Sequence, residues 1–235
     1  MSDPSPPGEG VAAAEVAELR RRLAAVQARI SDAGGDVDAV RIVAVSKGVA
    51  LDRLRAAGPA GLHDLGESYA QELVAKAEPP GEDADRRWHF IGRLQRNKVR
   101  LVAPFVHLWQ SVDRLSVAAE VARRAPGAAI LVQVNVSGLE QQGGCPPERV
   151  AATVEGCRDL GLEVRGLMAI GPQGPDEVVR AGFRQVRALA DRLELPERSM
   201  GMSADLEPAV AEGSTMVRVG TALFGPRPGG RAVGK

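Results

Sequence analysis

The chain has 235 residues, 44% hydrophobic and 26% charged, and its 30 basic residues balance 30 acidic ones at pI ≈ 6.9. This is the composition of a globular protein with chain enough for one substantial core, and it gives no electrostatic reason to expect nucleic acid or an anionic membrane as the main partner. No apolar run is long enough to span a bilayer, and Cys145 and Cys157 are too few for a secreted disulfide scaffold and sit in no metal-ligand spacing, so a cytoplasmic protein with free thiols and no metal is expected.

Residues 1–10 lack the basic start and apolar core of a signal peptide and read as a tail. Residues 11–30 carry Val16, Leu19, Leu23 and Val26 at helical spacing among Glu15, Glu18 and three consecutive arginines from Arg20, which predicts an amphipathic entry helix. Beyond it, short apolar strands alternate with charged, alanine-rich helices. Strands are predicted at 40–46, 61–66, 88–92, 106–111, 130–136, 164–170, 199–203 and 215–219. The helices between them fall at 51–57, 69–77, 95–102, 115–124, 147–160, 177–193 and 206–211. Parallel strands need crossover helices, and eight close around a side-chain-filled interior, so the α/β pattern reads as a single (β/α)8 TIM-type barrel; a doubly wound open sheet is the second possibility. The barrel domain is placed at 11–228, with a flexible tail at 229–235.

In such a barrel the functional face collects the residues at the carboxyl ends of the strands. Lys47 stands there, directly after the apolar run 41–46, where α/β proteins assemble their sites. A lysine partly desolvated at that place loses preference for its ammonium form, and the neutral amine can form a Schiff base with an aldehyde; the plainer reading is a strand-end lysine turned into solvent. Ser203 with the backbone before the 206–211 helix, and Gly220-Thr221 after the eighth strand, are candidates for holding a phosphate, although Ser203 and Asp205 could equally be capping chemistry. Arg218 interrupts the last apolar strand and needs acceptors, either in the barrel or from a carboxylate in the helix layer. The stretch 88–100 carries Arg93, Arg96, Lys98 and Arg100, whose charges read as a solvated face or as anion contacts at the barrel rim rather than a nucleic-acid surface.

Seven motifs in order carry a resemblance: Ala44-Val45-Ser46-Lys47; Gly66-Glu67-Ser68-Tyr69-Ala70-Gln71-Glu72; Trp88-His89-Phe90-Ile91-Gly92 with Leu94-Gln95 and Asn97-Lys98; Ser111-Val112-Asp113; Gly166-Leu167-Met168-Ala169-Ile170; Ser199-Met200-Gly201-Met202-Ser203; and the segment from Gly213 to Thr221. From about residue 40 to 224 the chain strongly resembles the pyridoxal-phosphate homeostasis protein family, which is similar to the barrel domain of alanine racemase. The resemblance implies a fold-type III-like barrel that binds pyridoxal 5′-phosphate (PLP) without established catalysis. By it, Lys47 is the Schiff-base lysine, Ser203, Gly220 and Thr221 hold the phosphate, Arg218 faces the pyridine nitrogen, and Ser68 and Met202 lie at the cofactor. Two departures stand out. Ser68 replaces the family's usual Asn, which leaves a polar contact near the cofactor shorter, water-bridged or absent, and Gln141-Gln142-Gly143-Gly144-Cys145 replaces a Lys-Ser-Gly-like segment, so no role of that loop carries over.

The resemblance implies a role in intracellular vitamin B6 homeostasis, with apo PLP-dependent enzymes as recipients and a monomeric state. Its rivals are a PLP-dependent amino-acid racemase and a class-I aldolase using Lys47 directly. Racemisation in this architecture needs a second base, and the chain ends shortly after the eighth strand; Tyr69, its one tyrosine, is expected to be a packing residue.

Overall fold

The computed structural model describes residues 7–77 and 85–226, so the expected tail positions 1–6 and 229–235 lie outside the described residues. The entry helix α1 (Pro7–Asp32) begins four residues before the expected start, taking in positions assigned to the tail. Eight parallel strands then close a barrel in sequence order: β1 (Arg41–Val45), β2 (Asp64–Glu67), β3 (Arg87–Phe90), β4 (Val106–Val112), β5 (Ala129–Val134), β6 (Glu163–Ala169), β7 (Glu197–Ser199) and β8 (Met216–Val219), with β8 back on β1. The closed ring excludes the open doubly wound sheet.

Seven crossover helices cover the barrel: α2 (Leu51–Arg55), α3 (Ala70–Ala77), α4 (Arg96–Val102), α5 (Leu115–Arg124), α6 (Val150–Asp159), α7 (Asp176–Arg192) and α8 (Leu206–Ala211). A single turn, α9 (Thr221–Phe224), follows β8. Strand β7 covers Glu197–Ser199 rather than 199–203; Met200 N–H and Gly201 O still bond to β8, both at 3.0 Å, and the chain turns only at Met202, whose N–H donates to Asp205 at 2.6 Å. Helix α6 is preceded by a 3-10 turn at Pro147–Arg149, a common way for a helix to tighten at its start.

Period-two alternation divides the core into two. Residues facing outward, such as Ala44, Leu65, Trp109 and Leu167, join the large cluster under the helices, while Val43, Leu108, Leu131, Met168 and Met216 form a small cluster inside the ring. The same alternation turns Asp64, Gln110, Gln133 and Arg218 inward, so the interior is partly polar: Gln110, Gln133 and Arg218 are all buried. Helix α1 buries Leu19, Val26 and Ile30 and is tied to the loop after β7 by Arg29, which pairs with Glu207 at 2.6 Å and donates to Ser203 O at 2.9 Å. Among the described residues no helix is long and apolar enough to cross a membrane.

Candidate functional site

Lys47 leaves β1 at the carboxyl-end mouth, and the turn after it is held from two sides. Gly48 has φ +69°, a left-handed turn that glycine adopts without steric cost, and its N–H donates to Glu72 Oε2 at 2.9 Å. Below the turn, the Lys76 ammonium of α3 donates to Ser46 O at 2.8 Å and to carboxylate oxygens of Glu67 and Glu72, both at 2.7 Å. Glu67 is fully buried and otherwise saturated: it accepts from the Ser46 hydroxyl at 2.8 Å and from the Ser68 and Tyr69 N–H groups at 2.7 and 3.2 Å. A buried ion pair fixes geometry when every member is satisfied, as here. Burial pushes the Glu72 carboxyl up, but the Lys76 and Gly48 hydrogen bonds and the charges of Lys76 and Lys47 outweigh it and leave the group below its ordinary value.

Tyr69 is not the packing residue expected from sequence. It is 48% exposed, and the Lys47 ammonium lies 4.7 Å from its ring centroid, within cation–π range. Its neighbours Glu67 and Glu72 hold the segment at the mouth, so the ring covers Lys47 instead of entering the core. Ser68 stands beside Gly92, where an added Cβ would fall 2.0 Å from Ser68 O; the backbones of the β2 and β3 ends approach too closely for any side chain there.

Six of the seven predicted site residues meet at one cavity. A space of about 230 Å³ is lined by Lys47, Met202, Ser203, Arg218, Gly220 and Thr221, together with Val45, Val49, Ala204, Phe224 and Gly225. Ser68 is not among these residues; it lies at the β2 end, on the Tyr69 side of Lys47. Ala204 belongs to the candidate phosphate segment read from sequence; Val49 and Phe224 were not singled out, because a loop residue or a one-turn helix has no periodicity to place it.

Arg218 points into the barrel, not towards the helix layer. It is 4% exposed, and its guanidinium donates to Ser199 O and Ser199 Oγ, both at 2.7 Å, and to Ala169 O at 2.8 Å. Its acceptors are thus two carbonyls and a hydroxyl rather than a carboxylate. Burial pushes its pKa down to about 10, opposed by the charge of Asp205. The lining carries two cations, Lys47 and Arg218, two hydroxyls and apolar walls, and no carboxylate. That set suits a planar aromatic aldehyde bearing a phosphate: an amine for the carbonyl, hydroxyls for the dianion and a guanidinium for a ring acceptor.

The other sequence candidates lie elsewhere. Arg96, Lys98 and Arg100 of α4 line an outer groove against Glu120, Arg123 and Arg124 of α5, in the helix layer rather than at the rim. His89 is buried inside the barrel. Among the described residues no cluster of histidine, cysteine and carboxylate side chains is arranged to hold a metal ion.

Residues 15–228 match the family described as alanine racemase, N-terminal domain. A pyridoxal phosphate homeostasis protein of Pseudomonas aeruginosa is 41% identical over 221 residues, 89% of this chain and 96% of that protein. Another, from Aquifex aeolicus, is 40% identical over 222 residues, again 89% and 96% of the two chains. PipY of Synechococcus elongatus, solved with PLP bound, superposes with a TM-score of 0.78 at 34% identity, covering 88% of this chain and 100% of its own. By sequence and fold, the chain belongs to the pyridoxal phosphate homeostasis protein family, within the alanine racemase N-terminal domain family.

Proposed function

We propose that this chain binds pyridoxal 5′-phosphate through Lys47 and serves intracellular vitamin B6 homeostasis, holding the cofactor rather than turning over amino acids. The observation that carries the reading is the convergence of Lys47, Ser203, Arg218, Gly220 and Thr221, from three separate stretches of chain, on one cavity without a carboxylate. The relatives' names and the PLP-bound PipY structure support the same ligand.

When bound, the cofactor supplies an aldehyde that condenses reversibly with an amine and a conjugated ring that absorbs visible light. In this reading Lys47 supplies the amine, positioned by the Gly48 turn and covered by the Tyr69 ring. The Ser203 and Thr221 hydroxyls, with the backbone at Gly220, take the phosphate; Arg29 steadies Ser203 through its carbonyl. Val45, Met202 and Phe224 give apolar walls that limit water around the ring. Arg218 meets the ring nitrogen as a donor. A guanidinium remains cationic, so it opposes protonation of that nitrogen and weakens the electron sink on which amino-acid chemistry depends. Racemases of this architecture tolerate the same arginine, so what favours binding over turnover is chiefly the second base: the cavity lining offers none opposite Lys47. The protein acts as a cytoplasmic monomer, with apo PLP-dependent enzymes as recipients.

The test is spectroscopic. Protein mixed with PLP should gain a visible absorption band, and borohydride reduction followed by peptide mapping should place the phosphopyridoxyl group on Lys47. A label on Lys98 or Lys76 instead would overturn the assignment. Racemisation of alanine or serine at about 1 per second or faster, lost in Lys47→Ala, would replace the carrier reading with the racemase.

A further inference from the structure

Inside the barrel, an unbroken line of hydrogen bonds joins the cavity to the opposite end of the ring. Arg218 NH1 donates to Ser199 Oγ at 2.7 Å, and the Ser199 hydroxyl lies 2.7 Å from Gln110 Oε1. Gln110 Nε2 is 2.7 Å from His89 Nδ1, and His89 Nε2 is 2.9 Å from Asp64 Oδ1. Asp64 is held in turn by Arg87 at 2.9 and 2.7 Å, where the chain reaches solvent. Five strands contribute, and Ser199, Gln110 and His89 are all within 2% of complete burial or less exposed.

The donor and acceptor roles along this line follow from the orientation of the Gln110 amide, whose Oε1 faces Ser199. A guanidinium can only donate, so Ser199 Oγ accepts from Arg218, and its hydroxyl donates in turn to Gln110 Oε1. That turns the Gln110 NH2 towards His89, whose Nδ1 must accept. His89 therefore carries its proton on Nε2 and gives it to the Asp64 carboxylate. Burial lowers the His89 pKa against the opposing effect of Asp64, in keeping with a neutral ring. Asp64 itself is pushed up by burial, yet the Arg87 and His89 hydrogen bonds and charges bring it well below the usual carboxylate range. Both ends are locked, Arg218 as donor and Asp64 as acceptor, and every bond between them points the same way.

We propose that Asp64, His89, Gln110 and Ser199 are positioning residues for the cofactor's ring nitrogen: their one-way chain fixes the rotation of the Arg218 guanidinium, leaving the remaining N–H groups of its fork for the ring. This inference rests on the reading of the cavity as a PLP site. Three of the five guanidinium N–H groups are committed to barrel acceptors, and two of those bonds end on Ser199. Loss of the chain would leave Ser199 Oγ free to rotate and would compromise the bond that aims the fork. The effect should travel from His89, three hydrogen bonds away from Arg218, without any contact between His89 and the ligand.

The experiment compares PLP with its analogue in which carbon replaces the ring nitrogen, titrated against the full chain and followed by visible absorbance. Wild-type protein should prefer PLP by roughly ten-fold or more, the usual worth of one hydrogen bond from a charged donor. Ser199→Ala and His89→Gln should each shrink that preference towards one while still binding both ligands. His89→Gln can keep a donor for Asp64 but removes the acceptor for Gln110. Met168→Leu, inside the barrel but off the chain, should lower stability without altering the preference. Circular dichroism checks folding, and if one variant fails to fold the other carries the test. A wild-type preference retained in the folded variants overturns the positioning role while the PLP reading stands. PLP bound with no preference over the analogue overturns it too, by removing Arg218 from the ring nitrogen. Failure of wild type to bind PLP at all sinks the underlying reading and this inference with it.

Discussion

Over β1 and β8 a cavity of about 230 Å³ is lined by Lys47, Ser203, Arg218 and Thr221. Over β4 and β5, at the same end of the barrel, a cavity of about 250 Å³ is lined by Asp113, Arg114, Cys145 and Arg149. Size and polarity are alike, but the pairing differs. Arg114 is bound to Asp113 at 2.5 Å and to Leu94 O at 3.1 Å, and Asp113 also faces Gly144 N–H at 3.5 Å. Cys145 is buried, and burial pushes its thiol up to about 11 against a hydrogen bond from Thr153. On the first side the cations have no carboxylate in the lining: Arg218 is satisfied by barrel carbonyls and a hydroxyl, and Lys47 lies under an aromatic ring. A polar cavity attracts an anionic ligand when its positive groups have not already been neutralised by their own neighbours.

The sharpest way to break this comparison is to remove one cation from each side. Lys47→Ala should abolish the visible band that PLP produces, because no amine then remains in the lining. Arg149→Ala should leave that band and the PLP affinity as in wild type. A band that survives in the first variant, or disappears in the second, would mean that the wrong side had been chosen.

A smaller effect should separate the phosphate from the ring. Hydrogen bonds to a charged group contribute about 1.5–3 kcal/mol each, so Ser203→Ala or Thr221→Ala should weaken PLP about 10- to 100-fold. Pyridoxal, which lacks the phosphate, should bind these variants and wild type alike. Equal losses for both ligands in calorimetric titration would assign the two hydroxyls to the fold instead of the phosphate.

The smallest effect concerns the side expected to be inert. The thiolate is the reactive form of cysteine, and burial raises the pKa of both Cys145 and Cys157 to about 11. Folded protein should therefore react slowly with iodoacetamide at pH 8, where the thiolate is a small minority, and faster as pH rises towards that value. Alkylation should leave the PLP band unchanged as long as the fold is intact. Rapid labelling of Cys145 at pH 8 would show that the β4–β5 cavity is open and reactive.

How far the sequence reached depends on how local the physical cause was. The bounds of α5 and α8 coincide with the expected 115–124 and 206–211, since amphipathic spacing and flanking loop residues are contained in the segments themselves. Strand β7 was placed too late because its apolar run starts after Ser199, whereas its pairing with β6 begins at the charged Glu197 and Arg198. At the site, the strand-end position of Lys47 and the motif matches made the cavity residues legible. Tyr69 was misread because exposure of an aromatic ring is decided by its neighbours, here Glu67 and Glu72, and not by its own type. The Glu72-to-Lys76 spacing of one helical turn was a usable signal for the network under Lys47, but the buried Glu67 that completes it comes from another element.

The order of eight strand and seven crossover helix signals, together with the parallel sheet they require, was determined by the sequence alone, because hydrophobic periodicity is a property of neighbouring residues. So was the presence of an amine, two hydroxyls and an arginine at strand ends. Only the tertiary structure decided that Arg218 turns inward, since alternation gives two faces and closure of the ring chooses which is interior. Only it could join Asp64, His89, Gln110, Ser199 and Arg218, whose partners lie on five strands and whose hydrogen-bond roles are fixed by what each meets across the barrel. A donor and an acceptor far apart in sequence carry no mutual signal until the fold brings them within 3 Å and burial excludes the water that would otherwise satisfy them.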